Sequence, residues 1–106
     1  MAVKTKRFDP TDYLTTDEAL AEYINAALET GDPAFIADSL GIVARAKGMA
    51  KVARQTGLGR ESLYKALRAE GNPEFATVLK VVEALGLRLT AAAGRSRSAP
   101  RRKRAA

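Results

Sequence analysis

The chain contains 106 residues, with 18 Lys and Arg side chains against 12 Asp and Glu, so its formal net charge is +6. It contains no cysteine and no histidine, which excludes disulfide bonds, zinc sites of the usual types, thiol nucleophiles and imidazole acid–base catalysis. A chain of this length predicts one small domain with tails, and we expect no metal site, no cofactor and no catalytic residues.

Residues 1–14 are predicted to form an N-terminal arm ahead of a helical domain at 15–91. The start MAVKTKRF lacks the apolar segment of a signal peptide. No apolar run approaches the roughly 20 residues that cross a bilayer. We therefore expect a cytoplasmic protein without a membrane partner.

The first predicted helix begins at a capping box formed by Thr15 and Glu18, three residues apart. It should run to about Thr30 and end at Gly31. Its apolar side chains recur at helical spacing and should form one buried stripe, made of Ala19, Leu20, Tyr23, Ile24, Ala27 and Leu28.

A second helix is predicted to begin at Asp32-Pro33, where Asp32 caps the helix and Pro33 takes its first position. It should end at Gly48. The predicted buried face consists of Phe35, Ile36, Leu40, Val43 and Ala44.

The sequence of these two helices is strongly acidic. Residues 8–44 contain eight Asp and Glu side chains and no Lys or Arg. A duplex binder does not need an acidic segment, so these residues have another role or they are only solvated. The two interpretations remain open at this point.

Residues 49–70, MAKVARQTGLGRESLYKALRAE, have the pattern of a helix-turn-helix. Helices are predicted over 49–56 and 60–70, and Gly57 between them can adopt the positive φ of a sharp turn. Ala53 is small enough to let the two helices approach closely. The inward positions are Val52, Ala53, Leu58, Leu63, Ala66 and Leu67.

The polar face of this pair predicts contacts with double-stranded DNA. Residues 45–68 carry seven Lys and Arg side chains against the single acidic residue Glu61, and phosphate neutralisation supplies most sequence-independent affinity for DNA. Arg60 lies in the first turn of the second helix, from which a guanidinium can bond guanine O6 and N7. The predicted DNA-binding residues are Lys51, Arg54, Arg60, Glu61, Ser62, Tyr64, Lys65 and Arg68.

An alternative is a helical hairpin whose charged residues only face water, since most amphipathic hairpins bind no nucleic acid. Arg60 would then be an ordinary solvated arginine. Tyr64 could contact a phosphate or a thymine, or it could be partly buried beneath the hairpin.

A fifth helix is predicted from a cap at Asn72-Pro73 to a stop at Gly86. Residues 87–90 then alternate apolar and polar side chains, which predicts either a short edge strand that pairs across a dimer or extended coil. The predicted buried face of the helix consists of Phe75, Val78, Leu79, Val82 and Leu85.

Residues 92–106 are predicted to be a disordered basic tail. The stretch RSRSAPRRKR at 95–104 contains six basic side chains, no acidic one and too few apolar residues to build a core. It could lie along phosphates or in a minor groove, or it could only improve solubility.

Short motifs spread over residues 8–91 carry a resemblance to a known family. The most specific part is the block GLGRESLYKAL at 57–67 followed by GNPEF at 71–75. Further matches are Phe8-Asp9-Pro10, Tyr13-Leu14, Glu18-Ala19, Gly31-Asp32-Pro33, Leu79-Lys80-Val81 and Leu85-Gly86-Leu87. With these motifs the chain resembles the HigA-like helix-turn-helix antitoxins of bacterial type II toxin–antitoxin modules, the antidote proteins of addiction modules.

The resemblance implies an all-α, lambda-repressor-like five-helix domain of the Xre/Cro class. It also implies a small basic partner toxin similar to the RelE and HigB nucleases, repression of the module's own operon, and a place at the bacterial nucleoid while bound to DNA. Carried onto this chain, the recognition helix is 60–70. Its DNA-reading positions are Arg60, Glu61, Ser62, Tyr64 and Lys65.

We expect a homodimer, because one motif of this type contacts too little DNA to find a single operator in a genome, whereas two copies read two half-sites. Candidate interface elements are the fifth helix, from Glu74 to Leu85, and the segment 87–90.

Two other functions are alternatives to the antitoxin-repressor. A stand-alone Xre/Cro-type transcriptional regulator would use the same motif without a toxin partner. An enzyme is the weakest candidate, since the sequence offers only scattered carboxylates and lysines and no glycine-rich phosphate loop after a strand.

Overall fold

The computed structural model describes residues 16–94, and in these residues the chain forms five α-helices and no β-strand. The helices are α1 (Asp17–Glu29), α2 (Pro33–Lys47), α3 (Met49–Thr56), α4 (Arg60–Ala66) and α5 (Phe75–Ala84). This confirms the all-α, five-helix prediction. None of the five is long and apolar enough to cross a membrane. The predicted arm at 1–14 and the basic stretch at 95–104 lie outside the described residues.

A threonine caps α1. The Oγ1 of Thr16 accepts a hydrogen bond from the backbone N–H of Ala19 at 3.0 Å, so the helix begins at Asp17. The predicted capping box placed this cap one residue earlier, at Thr15, which is outside the described residues. Two adjacent threonines offer equivalent caps, and the structure uses the second.

The predicted start of α2 is confirmed. Asp32 Oδ1 accepts hydrogen bonds from the N–H groups of Ala34 at 3.1 Å and Phe35 at 3.4 Å, and Pro33 takes the first helical position. These bonds satisfy N–H groups that a helix start leaves without an intrahelical partner. The helix ends at Gly48, as predicted, with φ at +111°.

All five helices contribute to one hydrophobic core. α1 and α3 pack on α2, and α5 packs on α3. Burial of apolar surface is worth about 25 cal/mol per Å², so the side chains at the centre of this core are the main source of stability. They are at most 5% exposed and comprise Leu20, Ile24, Leu40, Val43, Ala44, Met49, Val52, Leu63, Leu67, Val81, Val82 and Leu85.

The predicted buried faces of α1 and α2 each contain one error. Phe35 is 48% exposed, because it is turned by about 140° from the buried Leu40 at 100° per residue. Leu28, in the last turn of α1, is 38% exposed. The other predicted core residues of these two helices are buried or half-buried.

The structure of α5 differs from the prediction at its start. Asn72 takes a left-handed conformation, φ +48°, and the helix is capped at Glu74, so Asn72-Pro73 does not begin it. Its stop at Gly86 is confirmed by a φ of +83°. Residues 72–74 are therefore coil, and α5 begins after them.

This α5 also buries a different face from the one predicted. Phe75 is 69% exposed and Leu79 is 42% exposed, whereas Val81 is fully buried. Leu79 is turned by about 160° from Val81, so the two cannot share one core face. Val82 and Leu85 are buried as predicted.

The segment after α4 packs tightly because of two glycines. A Cβ on Gly41 of α2 would overlap the carbonyl oxygen of Leu67, and a Cβ on Gly71 would overlap the carbonyl oxygen of Ala66. Leu67 leaves the helical conformation, with φ −95° and ψ 62°, and is buried against the core. α4 ends at Ala66, four residues before the predicted end.

Residues 87–94 are coil in this chain. The predicted alternation is present, since Leu87 and Leu89 are half-buried and Arg88 and Thr90 are exposed. Of the two alternatives from the sequence, the single chain thus adopts coil. Pairing of this segment across a dimer stays a prediction.

Candidate nucleic-acid interface

Gly57, Leu58 and Gly59 join α3 to α4. Gly57 has φ +77°, the conformation expected of it, and its N–H donates to the carbonyl of Ala53 at 2.9 Å. The hydroxyl of Thr56 donates to the same carbonyl at 3.3 Å and accepts from the N–H of Leu58 at 3.2 Å. These bonds satisfy the end of α3 and fix the direction in which α4 starts.

Apolar contacts anchor both helices of the pair. Val52 on α3 and Leu63 on α4 are fully buried. Ala53 and Leu58 are half-buried and pack against the same core. The inward positions predicted from spacing therefore face inward. One face of α4 packs against the core, through Leu63.

All eight predicted DNA-binding residues are exposed. Leu63 is buried, and Glu61 and Lys65 are each turned by about 160° from it, so they project directly into solvent. Tyr64 lies on the flank of this face and is 41% exposed. Lys51 and Arg54 lie on α3, and the residues on α4 are Arg60, Glu61, Ser62, Tyr64 and Lys65.

Arg68 is the one predicted DNA-binding residue that does not lie on α3 or α4. It lies beyond the end of α4, and its Nε is 3.7 Å from Oε1 of Glu70. Both side chains are more than half exposed, so this ion pair stabilises little. The prediction had placed Arg68 on a longer recognition helix.

The basic side chains of the pair keep their charge available. Among residues 16–94, Lys51, Arg54, Arg60 and Lys65 form no ion pair. Glu61 is the single acidic residue on α3 and α4. This surface can therefore meet an anionic backbone without first breaking internal salt bridges.

One further polar residue lies near the turn. Gln55 is exposed in the last turn of α3, two residues before Gly57. A glutamine amide can bond adenine N6 and N7 together, so its residue type and its place beside the turn are the signals that identify it.

The acidic side chains of α1 lie on a different element from this basic pair. Asp17, Glu18, Glu22 and Glu29 are exposed, and Asp17 Oδ1 is 3.5 Å from Lys47 Nζ. α2 contacts both α1 and α4. Within the same part, acidic side chains form no group of three or more that could hold a metal ion.

Comparison with known proteins identifies one family. A family model described as "Probable addiction module antidote protein" matches residues 4–93. An uncharacterized protein of Haemophilus influenzae (strain ATCC 51907 / DSM 11121 / KW20 / Rd) is 45% identical over 87 residues, which cover 82% of this chain and 90% of that protein. No solved structure matches the chain significantly.

Proposed function

The chain belongs to the family of probable addiction module antidote proteins, and on this premise we propose that it is a HigA-like, Xre/Cro-type antitoxin that binds DNA. It neutralises a toxin similar to RelE and HigB and represses transcription of its own operon. Blocking a toxin and occupying an operator both depend on binding alone, so this function needs neither a cofactor nor a catalytic residue.

The exposed face of α4 is the observation that carries the DNA-binding part of the proposal. Leu63 holds this helix to the core, while Glu61 and Lys65 project away from it. A helix of this kind fits the major groove of B-DNA, which is about 12 Å wide. The exposed basic residues of α3, which form no ion pair within residues 16–94, suit contacts with phosphates.

We assign different tasks to the two helices of the pair. Arg60 bonds guanine O6 and N7, and Ser62 and Tyr64 contact neighbouring base edges or phosphates. Lys51 and Arg54 on α3 bind phosphates and so fix the position of α4 in the groove. Two copies of the chain then read two half-sites of the operator.

Lys51→Ala and Arg54→Ala should each weaken binding to every duplex alike. Each removes one phosphate contact, so the slope of log K against log salt should fall by about one unit per variant. Titration of fluorescent duplexes at several salt concentrations measures this slope. Lys80→Ala is the matched control, since Lys80 is exposed on α5, outside the motif, and should leave the slope unchanged. An unchanged slope in both α3 variants would place the DNA surface elsewhere.

The acidic face of α1 supports the toxin-binding part of the proposal. Nucleases similar to RelE and HigB are basic, and exposed carboxylates attract such a partner and speed its association. The acidic side chains lie on α1 and the predicted DNA contacts on α3 and α4, so the two partners would use different elements of one chain. Co-purification with the product of the neighbouring gene tests whether a toxin partner exists.

The double variant Glu18→Lys and Glu22→Lys should weaken toxin binding by at least about tenfold, since it reverses two exposed charges one helical turn apart on α1. Isothermal titration with the purified toxin measures the loss, and growth of toxin-expressing cells reports neutralisation. Arg60→Ala is the control and should neutralise the toxin fully. If the double variant binds the toxin with unchanged affinity, the toxin does not use α1.

A stand-alone regulator of the Xre/Cro type is the second candidate, because the exposed face of α4 serves either function. The same co-purification experiment distinguishes them. A neighbouring product that neither co-purifies with the chain nor inhibits growth would favour the regulator.

A further inference from the structure

One face of α1 has no partner in the described part of the chain. Glu18, Glu22 and Glu29 are each turned by about 160–180° from the buried Leu20, at 100° per residue. All three carboxylates are exposed, and none forms an ion pair within residues 16–94. We call these three residues the acidic face of α1.

The spacing of the carboxylates suits an extended basic chain rather than a single ion. At a rise of about 1.5 Å per residue, Glu18 and Glu29 lie about 16 Å apart along the helix. Acidic side chains of the described residues form no group of three or more that could hold a metal ion. An extended chain advances by about 3.3 Å per residue, so its side chains can meet such carboxylates one after another. Each exposed ion pair stabilises little alone, so the partner must carry several positive charges.

The same chain contains a segment with these properties. The stretch RSRSAPRRKR at 95–104, outside the described residues, contains six basic side chains and no acidic one. Residues 1–15 are a weaker candidate, because they contain three basic side chains against two acidic ones. Charge complementarity therefore favours the basic stretch 95–104 as the occupant of the acidic face.

The described chain leads this stretch to the side of α1. A hollow of about 140 Å³ lies between α1 and the segment 87–90, and its lining includes Asn25 of α1 together with Thr90. Asn25 is exposed and lies among the carboxylates of the acidic face. The five residue steps from Thr90 to Arg95 span at most about 18 Å. The basic stretch therefore begins close enough to reach every carboxylate of the face.

We propose that the basic stretch 95–104 docks on the acidic face of α1 in its own chain. Its arginine and lysine side chains form ion pairs with Glu18, Glu22 and Glu29. Because a short connection joins the two, docking is intramolecular, and the effective concentration is in the millimolar range. Several weak pairs acting together at this concentration can then hold the stretch on the helix.

The regulatory consequence of this docking rests on the proposed function. A basic toxin competes with the basic stretch for the acidic face, and duplex DNA competes with the acidic face for the basic stretch. DNA that takes up the stretch leaves α1 free for the toxin, and a toxin on α1 leaves the stretch free for phosphates. Each partner should therefore raise the affinity for the other, since coupling between two binding sites is reciprocal.

Paramagnetic broadening measured by NMR on the full chain, without DNA or toxin, tests the docking. The chain contains no cysteine, so Ala105→Cys provides a single site for a nitroxide label next to the basic stretch. Amide signals of α1 around Glu22 should broaden at low salt. The broadening should fall at least about fivefold at about 1 M salt, where the Debye length is about 3 Å.

Two matched variants separate ion pairing from mere proximity. Glu22→Gln combined with Glu29→Gln should lower the broadening at α1 at least about threefold, because it removes most of the pairs. Glu70→Gln combined with Glu74→Gln is the control, since it removes two exposed carboxylates that are not on α1. It should leave the broadening at the parent's level. Circular dichroism checks that both variants are folded.

A mixed sample tests whether the contact lies within one chain. Isotope-labelled chain without the nitroxide is mixed with unlabelled chain that carries it, and the signals of α1 should then broaden much less than when one chain carries both labels. Broadening of equal strength would assign the docking to a second copy and overturn the proposal.

Two further results would overturn it. They are a parent whose α1 signals do not broaden, and a Glu22→Gln, Glu29→Gln variant that broadens like the parent. Added toxin should displace the stretch and sharpen the signals of α1. A toxin that binds while the broadening persists would contradict the proposed toxin surface and leave the docking standing.

Discussion

Arg60→Ala is expected to weaken binding to the cognate operator by about 1–3 kcal/mol and to relax the preference at one base position. Arg60 is exposed in the first turn of α4 and forms no ion pair within residues 16–94, so its guanidinium is available to a base edge. Fluorescence anisotropy with the operator and with single-base variants of it measures both effects.

Arg60→Lys separates base recognition from charge. A lysine keeps the positive charge but cannot form the planar, two-pronged hydrogen bond to guanine, so this variant should lose specificity as Arg60→Ala does and keep most affinity for random DNA. If Arg60→Ala weakens operator and random DNA equally, the residue contacts only phosphate. Full affinity and full specificity in Arg60→Ala would remove it from the interface.

Gly41→Ala is expected to destabilise the fold by about 3 kcal/mol or more, at the upper end of the cost of overpacking. The new Cβ would overlap the carbonyl oxygen of Leu67, which is backbone and cannot move without displacing the segment that follows α4. For a domain of this size the Tm should fall by more than about 10 °C. Thermal unfolding followed by circular dichroism measures the change.

Gly94→Ala is the control for this substitution, because nothing lies within 4 Å of the position where its Cβ would be. It should unfold at the parent's Tm. A Gly41→Ala variant that is as stable as the parent would mean that α2 and the segment after α4 do not approach each other closely.

Local chemistry made several elements predictable from the sequence. Asp32 and Pro33 start α2 because a side-chain cap and a fixed φ both act within one turn. Gly57 and Gly86 end helices because each takes a positive φ, which costs a glycine little. In these places neighbouring residues alone decide the conformation.

The features that the sequence pattern did not predict depend on contacts between helices. Leu67 leaves the helical conformation at the point where its carbonyl oxygen lies against Gly41, a residue of another helix. Phe35 and Phe75 are exposed because another face of each helix packs against the core. A single apolar side chain at the start of a helix does not indicate which face is buried. α1 is capped by Thr16, one residue after the Thr15 that the capping-box spacing predicts.

The sequence predicts which face of α4 is exposed, but it does not predict where that helix ends. Buried Leu63 and its spacing to Lys65 follow from helical periodicity, so the exposed face of α4 could be assigned from the sequence. Arg68 was assigned to that face only because the helix was expected to continue to 70. Gln55 carries no charge, so the charge pattern that predicts the basic contacts does not identify it, although its amide can also bond base edges.

Titration of the full chain with the DNA upstream of its own operon, and with a shuffled duplex of the same composition, tests most directly whether α4 reads base edges. The account predicts that affinity for the upstream DNA exceeds that for the shuffled duplex by at least about 1000-fold, and that both affinities fall steeply as salt rises. Equal affinities for the two duplexes, or affinities that do not depend on salt, would contradict it.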